Sequence, residues 1–150
     1  MTSRAAIDEF LAQETLALVG VSRKGKSFGN TVLKTLRRRG REVLPVHPEA
    51  RDIDGVPCFR AVADLPARVG GLVLVVPPAQ TEKLVAEAAA AGIRRVWMQQ
   101  GADSPAALAF CAAHGVSAIH GECILMFAEP AGRIHRLHRT IKGLLGRMPK

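Results

Sequence analysis

This sequence predicts an α/β fold built on a five-stranded parallel sheet, on three observations. Five short apolar runs recur along the 150 residues, separated by polar loops and helical stretches. The third run, GLVLVVPP at 71–78, is apolar throughout, as befits a strand buried on both faces of a parallel sheet. Strand and helix alternate along the chain, which requires crossover connections and a sheet covered on both sides.

The elements follow in order. Residues 4–13 (RAAIDEFLAQ) predict a short capping helix with Ala5, Ala6, Ile7, Phe10 and Leu11 on one side. TLALVGV at 15–21 is the first strand. The helix predicted over 28–40 carries Val32, Leu33 and Leu36 at helical spacing and stops at Gly40. EVLPVHP at 42–48 is the second strand, ended by prolines. Residues 49–70 read as irregular, with a turn at Asp54-Gly55 and a short turn of helix over 62–65.

After the third strand, the Ala-rich stretch 79–92 predicts a helix ending at Gly92, and RRVWMQQG at 94–101 is the fourth strand. Asp103-Ser104-Pro105 opens the next helix, a capping side chain followed by Pro in the first turn, and that helix runs to Gly115. VSAIHGEC at 116–123 is the fifth strand. Residues 131–147 read as a basic helix, with Ile134, Leu137, Ile141, Leu144 and Leu145 on one stripe. Such a stripe packs on its own sheet, lies on a membrane or meets a partner. With no repeat or linker visible, residues 1–150 are one expected domain, and 131–150 form its amphipathic C-terminal helix.

Composition narrows the function classes. Apolar residues are 48% and charged residues 23%, values for a globular chain. The one long apolar stretch, 70–78, falls far short of the ~20 residues a bilayer needs. The first residues, MTSRAAIDEFLAQE, place acids where a secretory signal needs its apolar stretch. Cys58, Cys111 and Cys123 are an odd count without CxxC spacing, so a reduced, cytoplasmic protein is expected. His47, His114, His120, His135 and His138 form no recognisable metal triad, and no metal is expected.

Lys and Arg number 21 against 13 Asp and Glu, a net +8 suited to a polyanionic partner such as nucleic acid, a membrane surface or a multiply phosphorylated small molecule. One Trp, no Tyr and five Phe, none interleaved with basic residues, argue against a base-stacking platform. Neither a nucleic-acid nor a membrane partner is expected, and a basic adaptor for either stands as an alternative.

A parallel sheet binds ligands outside the carboxyl ends of its strands. The loop after the first strand, Gly20-Val-Ser-Arg-Lys-Gly25-Lys26-Ser27, fits the phosphate-loop pattern G-x-x-x-x-G-K-[ST]. A phosphohydrolase of that kind also needs an acid on a neighbouring strand to hold magnesium. The strands ending LVLVVPP, EVLPVHP and VWMQQG supply none, so phosphohydrolase is kept only as an alternative. The dinucleotide fingerprint G-x-G-x-x-G is also absent, and the second strand ends in Val46-His47-Pro48 rather than a ribose-binding acid. What survives is anion binding: Gly20 for close approach, the Ser22 hydroxyl, the charges of Arg23, Lys24 and Lys26, and the start of a helix. No nucleophile, base and orienter set is readable, and no enzyme activity is expected.

The segments LVGVSRKGKSFGNTVLKTL, REVLPVHP, GVPCF with ADLP, LVVPP, AAAAGIRRVWMQQG and GEC occur in order over 14–127. In these the chain resembles the single-domain CoA-binding proteins, relatives of the CoA-binding domain of succinyl-CoA synthetase. The resemblance implies a Rossmann-like fold that holds CoA or acyl-CoA. It implies that Gly20, Val21, Ser22, Arg23 and Lys26 meet the phosphates, and that Val46, His47 and Pro48, with Val76, Pro77 and Pro78, flank the adenosine. Met98, Gln99 and Gly101 would run beside the pantetheine arm, with Cys123 near the thiol end. The chain departs from the family's usual Gly-Ala-Ser at Gly20-Val21-Ser22, from Asn-Pro at His47-Pro48, and from Asp-Arg-Cys at Gly121-Glu122-Cys123.

Overall fold

The computed structural model describes residues 2–128. The basic helix expected within 131–150 lies outside them. In chain order the elements are α1 (Arg4–Leu11), β1 (Thr15–Val19), α2 (Phe28–Arg38), β2 (Glu42–Val46), β3 (Asp52–Ile53), β4 (Val56–Pro57), β5 (Gly71–Leu74), α3 (Pro78–Ala90), β6 (Arg95–Met98), α4 (Pro105–His114) and β7 (Ser117–Ile119). Single 3-10 turns occupy Val62–Asp64 and Ile124–Met126.

The five main strands pair in the order β2-β1-β5-β6-β7, all parallel. Side chains alternate across this sheet. Leu16, Leu18, Val73 and Trp97 face α1 and α2, packing with Ile7, Phe10, Val32, Leu33 and Leu36. Ala17, Leu72, Leu74, Val96 and Met98 face α3 and α4, packing with Val85, Ala88, Ala107 and Cys111. Apolar residues at consecutive strand positions therefore serve two separate core layers, which is why the runs do not alternate with polar residues. The fold is Rossmann-like.

The helices begin and end for local reasons. Ser3, Ser27 and Ser104 cap α1, α2 and α4, each side chain accepting the N–H three residues on. Pro78 and Pro105 occupy the first turns of α3 and α4, where a missing N–H costs nothing. In α1, Ile7, Phe10 and Leu11 are buried as expected, but Ala5 is exposed. The apolar face is narrower than the sequence reading made it.

Two further differences concern the strands. Each stops two to four residues before the apolar run does, because the residues after Val19, Val46, Leu74, Met98 and Ile119 turn out of the ladder into loops. Val21 illustrates this: it is buried, but as a loop residue packed on the α1–α2 layer. Residues 49–70 are also less irregular than expected. Asp54-Gly55, with φ of 53° and 80°, makes the predicted turn, and β3 and β4 pair antiparallel around it. The segment after β4 then returns to the sheet. The Phe59 N–H donates to the Pro45 carbonyl and the His47 N–H to the Phe59 carbonyl, at 2.9 and 2.8 Å.

Candidate functional site

Because all five strands run parallel, their carboxyl ends share one edge, and the loops at Gly20, His47, Val75, Gln99 and His120 gather there. The chain leaves β1 toward β2 on one side and resumes at β5 on the other, so the switch point lies between β1 and β5. There the backbones meet closely. Gly20 has φ of 126°, and a Cβ on it would lie 2.1 Å from the Val75 carbonyl oxygen. A Cβ on Gly29, in the first turn of α2, would lie 2.1 Å from the Gly20 carbonyl oxygen. Two missing side chains thus let helix, loop and neighbouring strand end close on one another.

The loop 20–27 is held from beneath by Asn30, which is 4% exposed. The Ser22 N–H donates to Asn30 Oδ1 at 2.7 Å, and Asn30 Nδ2 donates to the Ser22 carbonyl at 3.0 Å. Since a backbone N–H can only donate and a carbonyl only accept, these partners fix the amide's orientation. Ser27 Oγ lies 2.5 Å from Asn30 Oδ1 and 2.9 Å from the Gly20 carbonyl, and its one proton faces both. The Lys24 N–H donates to Ser22 Oγ at 3.1 Å, tightening the turn that carries Arg23, Lys24 and Lys26 outward. These three cations are exposed.

The Ser27 hydroxyl, which a phosphate loop would direct at magnesium, is therefore turned inward as the cap of α2. The residues immediately after the five strands, Gly20, His47, Val75, Gln99 and His120, include no acid. Asn30→Ala leaves Ser22 N–H and C=O without their partner. It is expected to lower the unfolding free energy by about 2 kcal/mol, the cost of orphaning buried polar groups, in a urea titration.

His47 has a structural task. Its Nδ1 accepts the N–H groups of Glu49 and Ala50, both at 3.0 Å, so in this arrangement the ring's proton sits on Nε2. An asparagine oxygen could cap the same turn, which accounts physically for histidine standing where the resembling family has Asn. The turn it shapes presents Glu49, whose carboxylate pairs with the Arg23 guanidinium at 3.2 Å across the loops after β1 and β2.

Beside the first residue of α2 lies a cleft of about 310 Å³, lined by Phe28, Val75, Val76 and Pro77 and by Gln99 to Ala102. Gln99, 2% exposed, is committed twice: its Nε2 donates to Cys123 Sγ at 3.2 Å, and its Oε1 accepts the Ile124 N–H at 2.7 Å. It ties the loop after β6 to the loop after β7. Thr81, in α3, donates to the Ala102 carbonyl at 2.5 Å and fixes that part of the cleft lining. A larger cleft of about 620 Å³ opens at the opposite end of β2, beside Arg37, Arg41, Glu42 and Arg68. It is away from the carboxyl edge of the strands, and its carboxylate, Glu42, is already paired with Arg68 and bonded by Thr15, which together hold it below the usual carboxylate range.

Of the residues read from the sequence, Gly20, Ser22, Arg23 and Lys26 come together in one loop, and Val76, Pro77, Gln99 and Gly101 line one cleft. Three side chains point elsewhere. Met98 is wholly buried against the α3–α4 layer, Val46 packs in that same layer, and Val21 packs under its loop. Only their backbones border the edge. Pro48 is exposed beyond His47, Pro78 begins α3, and half-buried Cys123 stands behind Gln99 rather than on the cleft wall. Cys111 is a packed core residue whose burial raises its thiol to about 11, and burial also raises Cys58. Sequence reasoning missed Asn30, Phe28 and Glu49. The spacing Ser27-x-x-Asn30, a polar residue at the third helical position after a serine cap, was the available signal for the first.

Among the described residues, no group of three or more His, Cys, Asp or Glu side chains is placed to hold a metal ion. No helix among them is long and apolar enough to cross a membrane.

A Rossmann-like sheet with a glycine-lined, cation-bearing loop at its switch point defines the class of domain that takes its ligand across the strand ends. The model of the CoA binding domain family matches residues 14–129, and the chain belongs to that family. It is 35% identical over 74 residues to the ADP-forming acetate–CoA ligase I of Archaeoglobus fulgidus, covering 49% of this chain and 11% of that protein. It is 28% identical over 91 residues to the alpha subunit of the ADP-forming acetate–CoA ligase II of Pyrococcus furiosus, covering 60% of this chain and 20% of the subunit. The chain thus spans a minor part of the curated relatives it matches.

Two solved structures match on a scale closer to its own. A conserved hypothetical protein of Pyrococcus furiosus has 40% identity and a TM-score of 0.73, with 75% of this chain and 97% of that one covered. A hypothetical protein of Pyrococcus horikoshii has 28% identity and a TM-score of 0.75, with 83% and 89% covered.

Proposed function

We propose that this chain binds CoA or an acyl-CoA non-covalently and catalyses no reaction on it by itself. The observation that carries the reading is the adjacency of two unlike surfaces at the β1–β5 switch. The loop 20–27 offers Arg23, Lys24, Lys26 and the start of α2, a setting for phosphates. Directly beside it, the cleft under Phe28, Val76 and Pro77 offers apolar walls, a setting for an uncharged arm. CoA is a multiply phosphorylated nucleotide joined through its pyrophosphate to such an arm. The phosphates would rest on the loop, the adenosine beside the His47-Pro48 backbone, and the pantetheine along Val76, Pro77, Gln99 and Gly101. The ligase relatives' activity belongs to much longer proteins, and no nucleophile with a paired base stands beside the cleft among the described residues.

The test is a thermal-shift panel with CoA, acetyl-CoA, ATP with magnesium, and NADH. A ligand at 100 times its Kd adds about 2.7 kcal/mol, a rise of roughly 5 to 10 °C for a chain this long. CoA or acetyl-CoA is expected to produce it. A rise confined to ATP with magnesium would replace this reading with the phosphohydrolase one.

The Arg23–Glu49 pair supplies a second prediction. Both side chains are exposed, so the pair itself contributes little stability. Yet it holds Arg23 away from an incoming phosphate. Glu49→Gln is expected to tighten CoA binding about twofold to threefold at low salt, and Arg23→Ala to weaken it, with unliganded stability unchanged in both. Titration calorimetry checks this, and equal affinities in all three proteins would exclude Arg23 from the site.

A further inference from the structure

Phe28 is the first residue of α2, immediately after the capping Ser27, and its side chain is 52% exposed. A single exposed aromatic needs no explanation when it stands alone on a surface. Phe28 does not stand alone. It lines the cleft together with Val75, Val76 and Pro77, while the backbone just before it carries Lys26 and the loop 20–27. No other phenylalanine or tryptophan among the described residues is so exposed: Phe10 and Trp97 are buried, and Phe59, Phe110 and Phe127 are partly covered.

The chemistry of CoA bears on this position. One methylene beyond the pyrophosphate, the arm carries a quaternary carbon with two methyl groups, its bulkiest apolar point. A ligand whose pyrophosphate rests at the start of α2 must bring those methyls within a few ångströms, to the side chain of the helix's first residue. Adenine nucleotides that end at the diphosphate have nothing there. Resting on the CoA reading above, we infer that Phe28 is a specificity-determining residue, clamping the dimethyl segment of the arm against Val76 and Pro77 and so favouring CoA over the bare nucleotide.

The contact removes apolar surface from water on both partners, and losing the ring forfeits it. Three proteins (unaltered, Phe28→Ala and Phe28→Leu) are titrated with CoA and with 3′-phosphoadenosine 5′-diphosphate, which is CoA without its arm. Phe28→Ala is expected to weaken CoA about tenfold and Phe28→Leu about twofold, while the armless nucleotide binds all three alike. Because the ring is half in solvent, melting of the unliganded variants should match the unaltered protein, which separates ligand contact from folding. A parallel loss for CoA and the armless nucleotide would make Phe28 a prop for the phosphate loop and overturn the inference. Unchanged CoA affinity in Phe28→Ala would overturn it as well. Failure of the unaltered protein to bind CoA would instead remove the parent reading, and this one with it.

Discussion

Gly29→Ala is expected to destabilise the protein by roughly 3 kcal/mol, at the upper end of what overpacking costs, and to lower its melting temperature by about 10 °C. A methyl group at this position meets the Gly20 carbonyl oxygen at 2.1 Å, the Gly20 carbonyl carbon at 2.6 Å and the Val21 nitrogen at 3.2 Å. All three are backbone atoms, so no side chain can swing aside. Relief requires α2 to back away from the sheet, and that motion pulls Asn30 from Ser22 and opens the loop 20–27. Ligand binding should therefore fall with stability, whereas an ordinary core defect would affect stability alone. Calorimetric melting with and without CoA distinguishes the two. A melting temperature within 2 °C of the unaltered protein would show that helix and loop are less closely seated than described.

Trp97→Ala carries a comparable expectation, about 4 kcal/mol, the middle of the range for deleting a buried aromatic. Trp97 is wholly buried in β6, edge-on to Phe10 with ring centroids 5.4 Å apart, and 6.1 Å from Phe127. Its indole Nε1 donates to the Glu122 carbonyl at 3.0 Å. It therefore joins α1, the sheet and the loop after β7. Trp97→Phe separates these tasks: most of the apolar contact is kept and the Glu122 bond is lost. That variant is expected to lose about 1 to 2 kcal/mol, with hydrogen exchange accelerated selectively after Ile119. Uniform acceleration across the chain would mean that the loop does not depend on the indole bond.

The order of strands and helices was legible because each apolar run is bounded by glycine, proline or a capping serine, and these signals are local. The strand ends were not, since Val21, Val75 and Val76 continue the apolar pattern although they serve loops. The inward side chains of Met98 and Val46 were not legible for a related reason. Sequence shows that a residue lies near a strand's carboxyl end but not which way its side chain points, and one position along the strand decides between cleft and core. Phe28 was read only as the start of a helix. For Asn30 the spacing Ser27-x-x-Asn30 was a signal, but a polar residue in a helical pattern is expected to face water, so its role as a loop staple went unread. Glu49 acquired significance only once the loop after β2 was seen to approach Arg23. Long-range pairings of this kind leave no periodicity to read.

The two borders of the sheet are closed by different means. At one, Pro45 lacks the N–H that an added strand would accept, and the Phe59 segment already occupies its carbonyl and the His47 N–H. At the other, β7 is three residues long, and the Thr2 hydroxyl takes both the N–H and the carbonyl of His120, donating to the latter and accepting from the former at 3.0 Å each. Neither border offers a run of open backbone groups long enough to template another chain. Among the described residues, strand-by-strand addition of a folded copy at either border of this sheet is therefore disfavoured.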